Sequence, residues 1–262
     1  MKPPLTYYGG KQNLSKQILS MIPKHKVYCE PFFGGGAIFF AKEPSKMEVI
    51  NDTNGELINF YKVLKTKFRQ LEREIKSTLH SREEHKRASV ILANPFMFDE
   101  IQRAWAIWTM SNQSFGSQLN GSWGYDKKEN KSAKQLYTKR STFTKHYSER
   151  LEKVQIECKD AIEVIKLVDS KDTFFYCDPP YFNSNMGHYK GYIKEDFERL
   201  LQTLSNINGK FLLSSYPSLI LDKYIKANNW TVNRIEMKLP ISAKETDNVK
   251  KKEEVLTANF LM

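Results

Sequence analysis

No apolar run in this chain of 262 residues approaches the roughly 20 needed to cross a bilayer, and Met1-Lys2-Pro3-Pro4 opens no secretory leader. Cysteine is scarce. Cys29, Cys158 and Cys177 have neither paired nor metal-like spacing, which excludes a disulfide scaffold and a zinc site and reads as reduced core thiols of a cytoplasmic protein. There is no internal repeat and no low-complexity tract, so solenoid and disordered architectures drop out. Acidic residues are too few to balance the basic ones, 30 against 41, leaving a net charge of +11. What is present, 40% hydrophobic residues of which many are aromatic, suffices for one large core, or for a core with a smaller inserted lobe.

The positive charge is not spread evenly. Between Lys62 and Arg150 there are eighteen Lys/Arg and nine Asp/Glu, a surplus of nine, whereas the rest of the chain carries a surplus of two. A concentrated basic surface suits a polyanion, because neutralising phosphates dominates such affinities. Lys-rich solvated helices are the plain rival.

The most informative stretch is Thr173-Phe174-Phe175-Tyr176-Cys177-Asp178-Pro179-Pro180-Tyr181. Five apolar, β-branched or aromatic residues read as a strand buried on both faces, and paired prolines then forbid its continuation and stiffen the backbone beyond it. Asp178 supplies a carboxylate, Pro179 a carbonyl with no competing N–H, and Tyr181 a flat ring. That set fits the exocyclic amine of a nucleobase. Such a nitrogen is a poor nucleophile while its lone pair is delocalised into the ring; two acceptors on its two N–H bonds draw it towards a tetrahedral shape, and a stacked ring holds it for attack.

Upstream, Thr6-Tyr7-Tyr8-Gly9-Gly10-Lys11 leads into a helical pattern at Leu14, Ile18, Leu19 and Ile22. Lys11 lacks both the spacing and the following Ser/Thr of a phosphate loop. Lys26–Cys29 reads as a strand, then Glu30-Pro31-Phe32-Phe33-Gly34-Gly35-Gly36 as a glycine turn before a helix. Phe39 stands where a dinucleotide fingerprint wants its third glycine, which argues against a nicotinamide dehydrogenase. Asp52 ends a second strand, Met47–Asn51, eighteen residues after Gly34, where an acid would take a ribose diol; capping the helix that starts near Asn54 is the alternative.

Helical periodicity begins at Gly55, and a second amphipathic stretch runs from Pro95 to Met110 with Phe96, Ile101, Trp105 and Trp108 on one side, the aromatics among them read as core. The segment Asn112–Lys128 is rich in turns, amides and aromatics, a composition suited to base edges and base stacks. We expect 62–150 to form a DNA-recognition lobe with Lys127, Lys128, Lys139 and Arg140 on phosphates and Asn120 and Trp123 near bases. Beyond it come a strand Val154–Asp160, a helix Ala161–Val168, the strand that runs into Asp178, and then alternating helices and strands to a closing strand Val255–Leu261. Alternation of this kind predicts a sheet with helices on both faces. Asn183, Asn185, Gly187, His188 and Tyr189 suit a loop closing over a base.

Asp178-Pro179-Pro180-Tyr181 resembles the catalytic motif of amino-group DNA methyltransferases, and the order aromatic-Gly-Gly-Lys, glycine turn, basic lobe, Asp-Pro-Pro-Tyr resembles the DNA adenine methyltransferase (Dam-type) family over essentially the whole chain. The resemblance implies a Rossmann-like α/β sheet, mostly parallel with an antiparallel edge strand, plus an inserted, mainly helical recognition lobe. Residues 1–61 and 151–262 would form the S-adenosylmethionine-binding catalytic domain and 62–150 the target-recognition lobe. Tyr7, where relatives often carry Trp, would contact the methionine part of the cofactor with Lys11. Glu30, Phe32, Gly34 and Gly36 would line its loop, Asp52 would hold its ribose, Asp160 would accept from its adenine amine unless it merely caps the following helix, and Asp178 would lie beside it. The implied reaction is methyl transfer to adenine N6 in double-stranded DNA by a monomer needing no metal, with a cognate restriction enzyme as a further partner. Cytosine N4 as target and a catalytically inactive nucleic-acid binder are the alternatives.

Overall fold

In a computed structural model the described residues are 1–7, 9–183, 191–237 and 252–262. The helices and strands in chain order are α1 (Ser15–Met21), β1 (Val27–Glu30), α2 (Ala37–Ala41), β2 (Met47–Asn51), α3 (Gly55–Thr66), α4 (Phe68–Ser77), α5 (Arg82–Ala93), α6 (Glu100–Gln113), α7 (Lys131–Ser141), α8 (His146–Leu151), β3 (Val154–Glu157), α9 (Ala161–Val168), β4 (Thr173–Cys177), α10 (Lys194–Leu204), β5 (Lys210–Ser215), α11 (Leu219–Asn228), β6 (Thr231–Met237) and β7 (Lys252–Ala258). Among the described residues seven strands form one sheet in the order β3-β2-β1-β4-β5-β7-β6. β1 and β5 flank β4 in parallel, β2 and β3 pair in parallel, and β7 runs antiparallel to both β5 and β6. This is the expected Rossmann-like methyltransferase architecture, with its antiparallel edge. No described helix is long and apolar enough to cross a membrane.

The chain folds as two compact units, residues 1–20 with 33–159, and residues 21–32 with 160–262. In the second unit every residue of β4 is buried, as its unbroken apolar run requires, and β5 is buried from Phe211 to Ser215. Strand order reverses between β1 and β4, both within this unit, and in open α/β sheets the crevice at such a reversal is where ligands bind. Cys29 and Cys177 are core thiols as expected, whereas Cys158 is exposed just past β3.

In the first unit the chain between β2 and β3 is mainly helical, with α6 packed against α3, α4, α5 and α7. Trp105 and Trp108 are core, as their spacing requires, but Phe96 is 100% exposed. The reason is the start of α6: Asp99 accepts from the backbone N–H groups of Ile101 and Gln102, and Asp99 N donates back to Gln102 Oε1, a capping box that fixes the first turn after Phe96. Phe96 is left in a short 3₁₀ turn, off the helix face.

Candidate active site

The second unit builds an acidic, tyrosine-lined corner where β1 and β4 end. Glu30 closes β1, buried, and accepts from Tyr28 Oη two residues back on the same face of the strand. Asp178 follows β4 and Pro179 is buried beside it, while Tyr181 turns back so that its hydroxyl lies 3.2 Å from Asp178 Oδ1 and 3.0 Å from Ser214 Oγ on β5. The same hydroxyl donates to Glu254 Oε1 on β7, as does Ser214 Oγ. Tyr216 packs its ring 4.3 Å from that of Tyr181 at 65°. Burial, then Asp178 and Glu254, holds the Tyr181 phenol well above its ordinary pKa. Tyr176, inside β4, is raised likewise by burial first and then by Asp178, Glu30 and Glu254. Three carboxylates thus act on one small, dry region. Phe32 is half-buried, its ring edge-on to Tyr192 at 6.4 Å, and Asp160 is exposed, capping α9 through Ile162 N and pairing with Arg199 at 2.7 Å.

The first unit builds a glycine turn locked to an acid. Gly34 has φ of 49°, and a side chain there would meet the Tyr7 ring at 3.2 Å; Gly36 has φ of 68°, and a Cβ would stand 2.6 Å from Phe33 Cζ. Both positions therefore demand glycine, on grounds of space as well as dihedral. Asp52 Oδ2 accepts from Gly34 N and its Oδ1 from Asn54 N, each at 2.9 Å. Asp52 is not the cap of α3, because Asn54 fills that role by accepting from Glu56 N and Leu57 N. Its carboxyl pKa is raised by burial, against the lowering effect of those amides. Each oxygen keeps a lone-pair direction for a further donor. Burial also raises the Tyr7 phenol, with Asp52 adding to it, and Lys11 is buried with its ammonium donating to Gly9 O.

Of the residues expected on DNA, Asn120, Lys127 and Lys128 are exposed. Trp123 stacks on Tyr125 at 5.3 Å, with the Arg82 guanidinium 4.7 Å from its centroid and His80 5.1 Å away. The loop that carries it is stapled by Phe115 N to Ser122 O and Gly124 N to Gln113 O, both 2.7 Å, and presents Phe115 74% exposed. Lys139 and Arg140 have internal partners: Lys139 Nζ donates to Thr6 Oγ1 and Asn112 Oδ1, and Arg140 Nη1 to Thr78 O. Of the expected base-closing loop, Asn183 donates from Nδ2 to Pro217 O at 3.0 Å, and Asn185, Gly187, His188 and Tyr189 lie outside the described residues. Reading the sequence missed Glu254, Ser214, Tyr216 and Arg82; none has a local motif, and each gains its meaning only from a partner distant in the chain.

The D12 class N6 adenine-specific DNA methyltransferase family matches residues 7–246. Among curated proteins the chain is similar to the type II methyltransferase M1.LlaDCHI of Lactococcus lactis subsp. cremoris, 29% identical over 98% of this chain and 95% of that one. It is 31% identical to the type II methyltransferase M.MjaIII of Methanocaldococcus jannaschii over 75% of each, and 27% identical to the DNA adenine methylase of Vibrio cholerae over 68% of this chain and 64% of that one. With the motif order, the sheet and the acidic corner in agreement, the chain belongs to the D12 class of N6 adenine-specific DNA methyltransferases.

Proposed function

We propose that the methyl donor of this adenine methyltransferase is S-adenosylmethionine, held by Tyr7, Lys11, Glu30, Phe32, Gly34, Gly36, Asp52, Asp160 and Asp178, and that Asp178, Pro179 and Tyr181 hold the target adenine. The observation that carries this reading is the corner at the β1/β4 reversal, where Glu30, Asp178 and Glu254 concentrate negative charge beside tyrosine rings. Such a place favours a cationic donor and a base whose amine is gaining positive charge. The turn around Gly34, with Tyr7 against it and Asp52 beneath it, offers a ring face and acceptors suited to a nucleoside. When bound, the cofactor supplies a methyl group activated on a sulfonium.

In this reading an adenine flipped from the duplex lies on the Tyr181 ring. Asp178 and the Pro179 carbonyl accept the N6 hydrogens, localise the lone pair and offset the charge that develops there, and the surplus proton leaves to water. Residues 62–150 form the DNA lobe, with Asn120, Trp123, Lys127 and Lys128 as contacts. The inward bonds of Lys139 and Arg140 support instead a role for these two in bracing that lobe. We take the substrate as double-stranded DNA, the enzyme as a cytoplasmic monomer, and a cognate restriction enzyme as a partner, supported by the type II names of two relatives.

The test is Asp178→Ala, assayed with unmethylated duplex DNA and labelled donor. Methyl transfer should fall by about a thousandfold or more while DNA binding stays within about threefold. Turnover within about tenfold of the parent would overturn the assignment.

A further inference from the structure

Glu254 is 1% exposed, opposite Ile235 in the β6/β7 pair and one residue before the β5/β7 register begins, where an aliphatic side chain would serve the sheet better. Its place follows from register: Ser214 of β5 stands opposite Leu256 of β7, so Glu254, two residues before Leu256, emerges on the same face as the diagonal neighbour of Ser214. The two meet Tyr181 there. Its hydroxyl touches Asp178, Ser214 and Glu254, and Ser214 sends its own hydroxyl to Glu254. Burying a carboxylate costs stability unless donors satisfy it, and here the donors include the ring of the catalytic motif itself.

Pro179 and Pro180 stiffen the backbone but leave the two side-chain torsions of Tyr181 free. Tyr216, edge-on at 4.3 Å, bounds one side of the ring without setting its plane. A hydroxyl held at the far end of the ring sets both torsions at once, since the phenolic oxygen is the atom farthest from the backbone. We propose that Glu254, together with Ser214, is the positioning group that orients the Tyr181 ring and hence the base lying on it. A single phenolic proton serves one acid at a time, and Ser214 gives Glu254 a second donor, so the anchor persists when the phenol turns its proton to Asp178. This inference rests on the reading of Tyr181 as the ring that carries the adenine.

The experiment is a double-mutant cycle on the full-length enzyme, with turnover, KM for unmethylated duplex DNA and thermal midpoint measured for each variant. Glu254→Ala should lower turnover about tenfold to thirtyfold with KM for DNA changed less than about threefold, and Glu254→Gln, whose amide oxygen still accepts, should recover to within about threefold of the parent. In a Tyr181→Phe background, where no hydroxyl remains to be held, Glu254→Ala should cost less than about twofold more. Equal losses in both backgrounds, or a Gln variant no better than Ala at equal folded fraction, overturns the proposal. If Glu254→Ala does not fold, Ser214→Ala and Glu254→Gln carry the same cycle: each should lose about threefold alone and nothing further beside Tyr181→Phe. Tyr181→Ala separates the two levels of the argument. Near-parental turnover in that variant sinks the stacking role itself, whereas a collapsed Tyr181→Ala with additive Glu254 effects sinks only the positioning role.

Discussion

Two buried glutamates, one in each unit, bond to different kinds of donor. Glu48 on β2, 4% exposed, is met by two cations: Lys42 Nζ at 2.6 Å and the Arg150 guanidinium, which spans both carboxylate oxygens, sits 3.7 Å from the Phe39 ring centroid and donates to Phe39 O. Burial alone would raise its pKa, yet the hydrogen bonds and charges of Arg150 and Lys42 leave it below the ordinary value. Glu254 on β7 is met by hydroxyls, one on a strand and one on the ring of Asp-Pro-Pro-Tyr. An acid that only staples a fold is best matched by cations pinned to the same framework. In the proposed reading, an acid bonded to the hydroxyl of Tyr181 instead fixes the direction of that ring, which is of use to a base lying on it and of little use to stability.

That contrast breaks most sharply at Arg150. Arg150→Met leaves Glu48 buried with one cation fewer and should cost about 3–5 kcal/mol of unfolding free energy in a denaturant titration, while turnover per folded molecule stays within about twofold. A loss below about 1 kcal/mol would place Glu48 with surface ion pairs and remove the comparison. At the other glutamate the order of effects should reverse. Tyr181→Ala should lower turnover about a hundredfold with a small change in midpoint, and Tyr181→Phe, which keeps the ring and loses only its anchor, about tenfold. Equal losses in Ala and Phe would make the hydroxyl, not the ring, the working part.

How much of this could be read beforehand depends on the range of the interactions. The strand into Asp178, the turn at Gly34 and Asp52 at the end of β2 are local patterns, and the structure finds them as strand, left-handed turn and paired acid. Asn54 decided between the two readings of Asp52, and an Asn one residue before the helix was a visible cap. The exposure of Phe96 was also readable, from Pro95 and the Asp99/Gln102 box, had the helix start been weighed above periodicity. Glu254 was not readable. The sequence pattern starts the closing strand at Val255, three residues after its observed start at Lys252, and only the β5/β7 register brings Glu254 to Ser214, forty positions earlier. Lys139 and Arg140 look like any basic pair on a helix, and their inward course depends on how α7 packs.

Lys139 extends the comparison to a half-buried cation met by neutral oxygens, those of Thr6 and Asn112, and desolvation pushes its pKa down to about 8. The consequence for stability has a definite sign. An unfolded lysine holds its proton up to about pH 10.4, so between about 8 and 10.4 the unfolded chain binds a proton that the folded chain does not. Stability contributed at this site therefore rises with pH across that window; below it the native state carries the full cost of a buried charge, and above it that cost is gone. Lys139→Met abolishes the dependence. Because every other titrating group is common to both proteins, the difference between them isolates the lysine. The variant should be favoured by about 2–3 kcal/mol, roughly 5–10 °C in midpoint, at pH 7 relative to pH 10, with the change confined to pH 8–10.4. A difference that does not vary over that range would mean that the ammonium is as well satisfied by two neutral oxygens as Glu48 is by its cations.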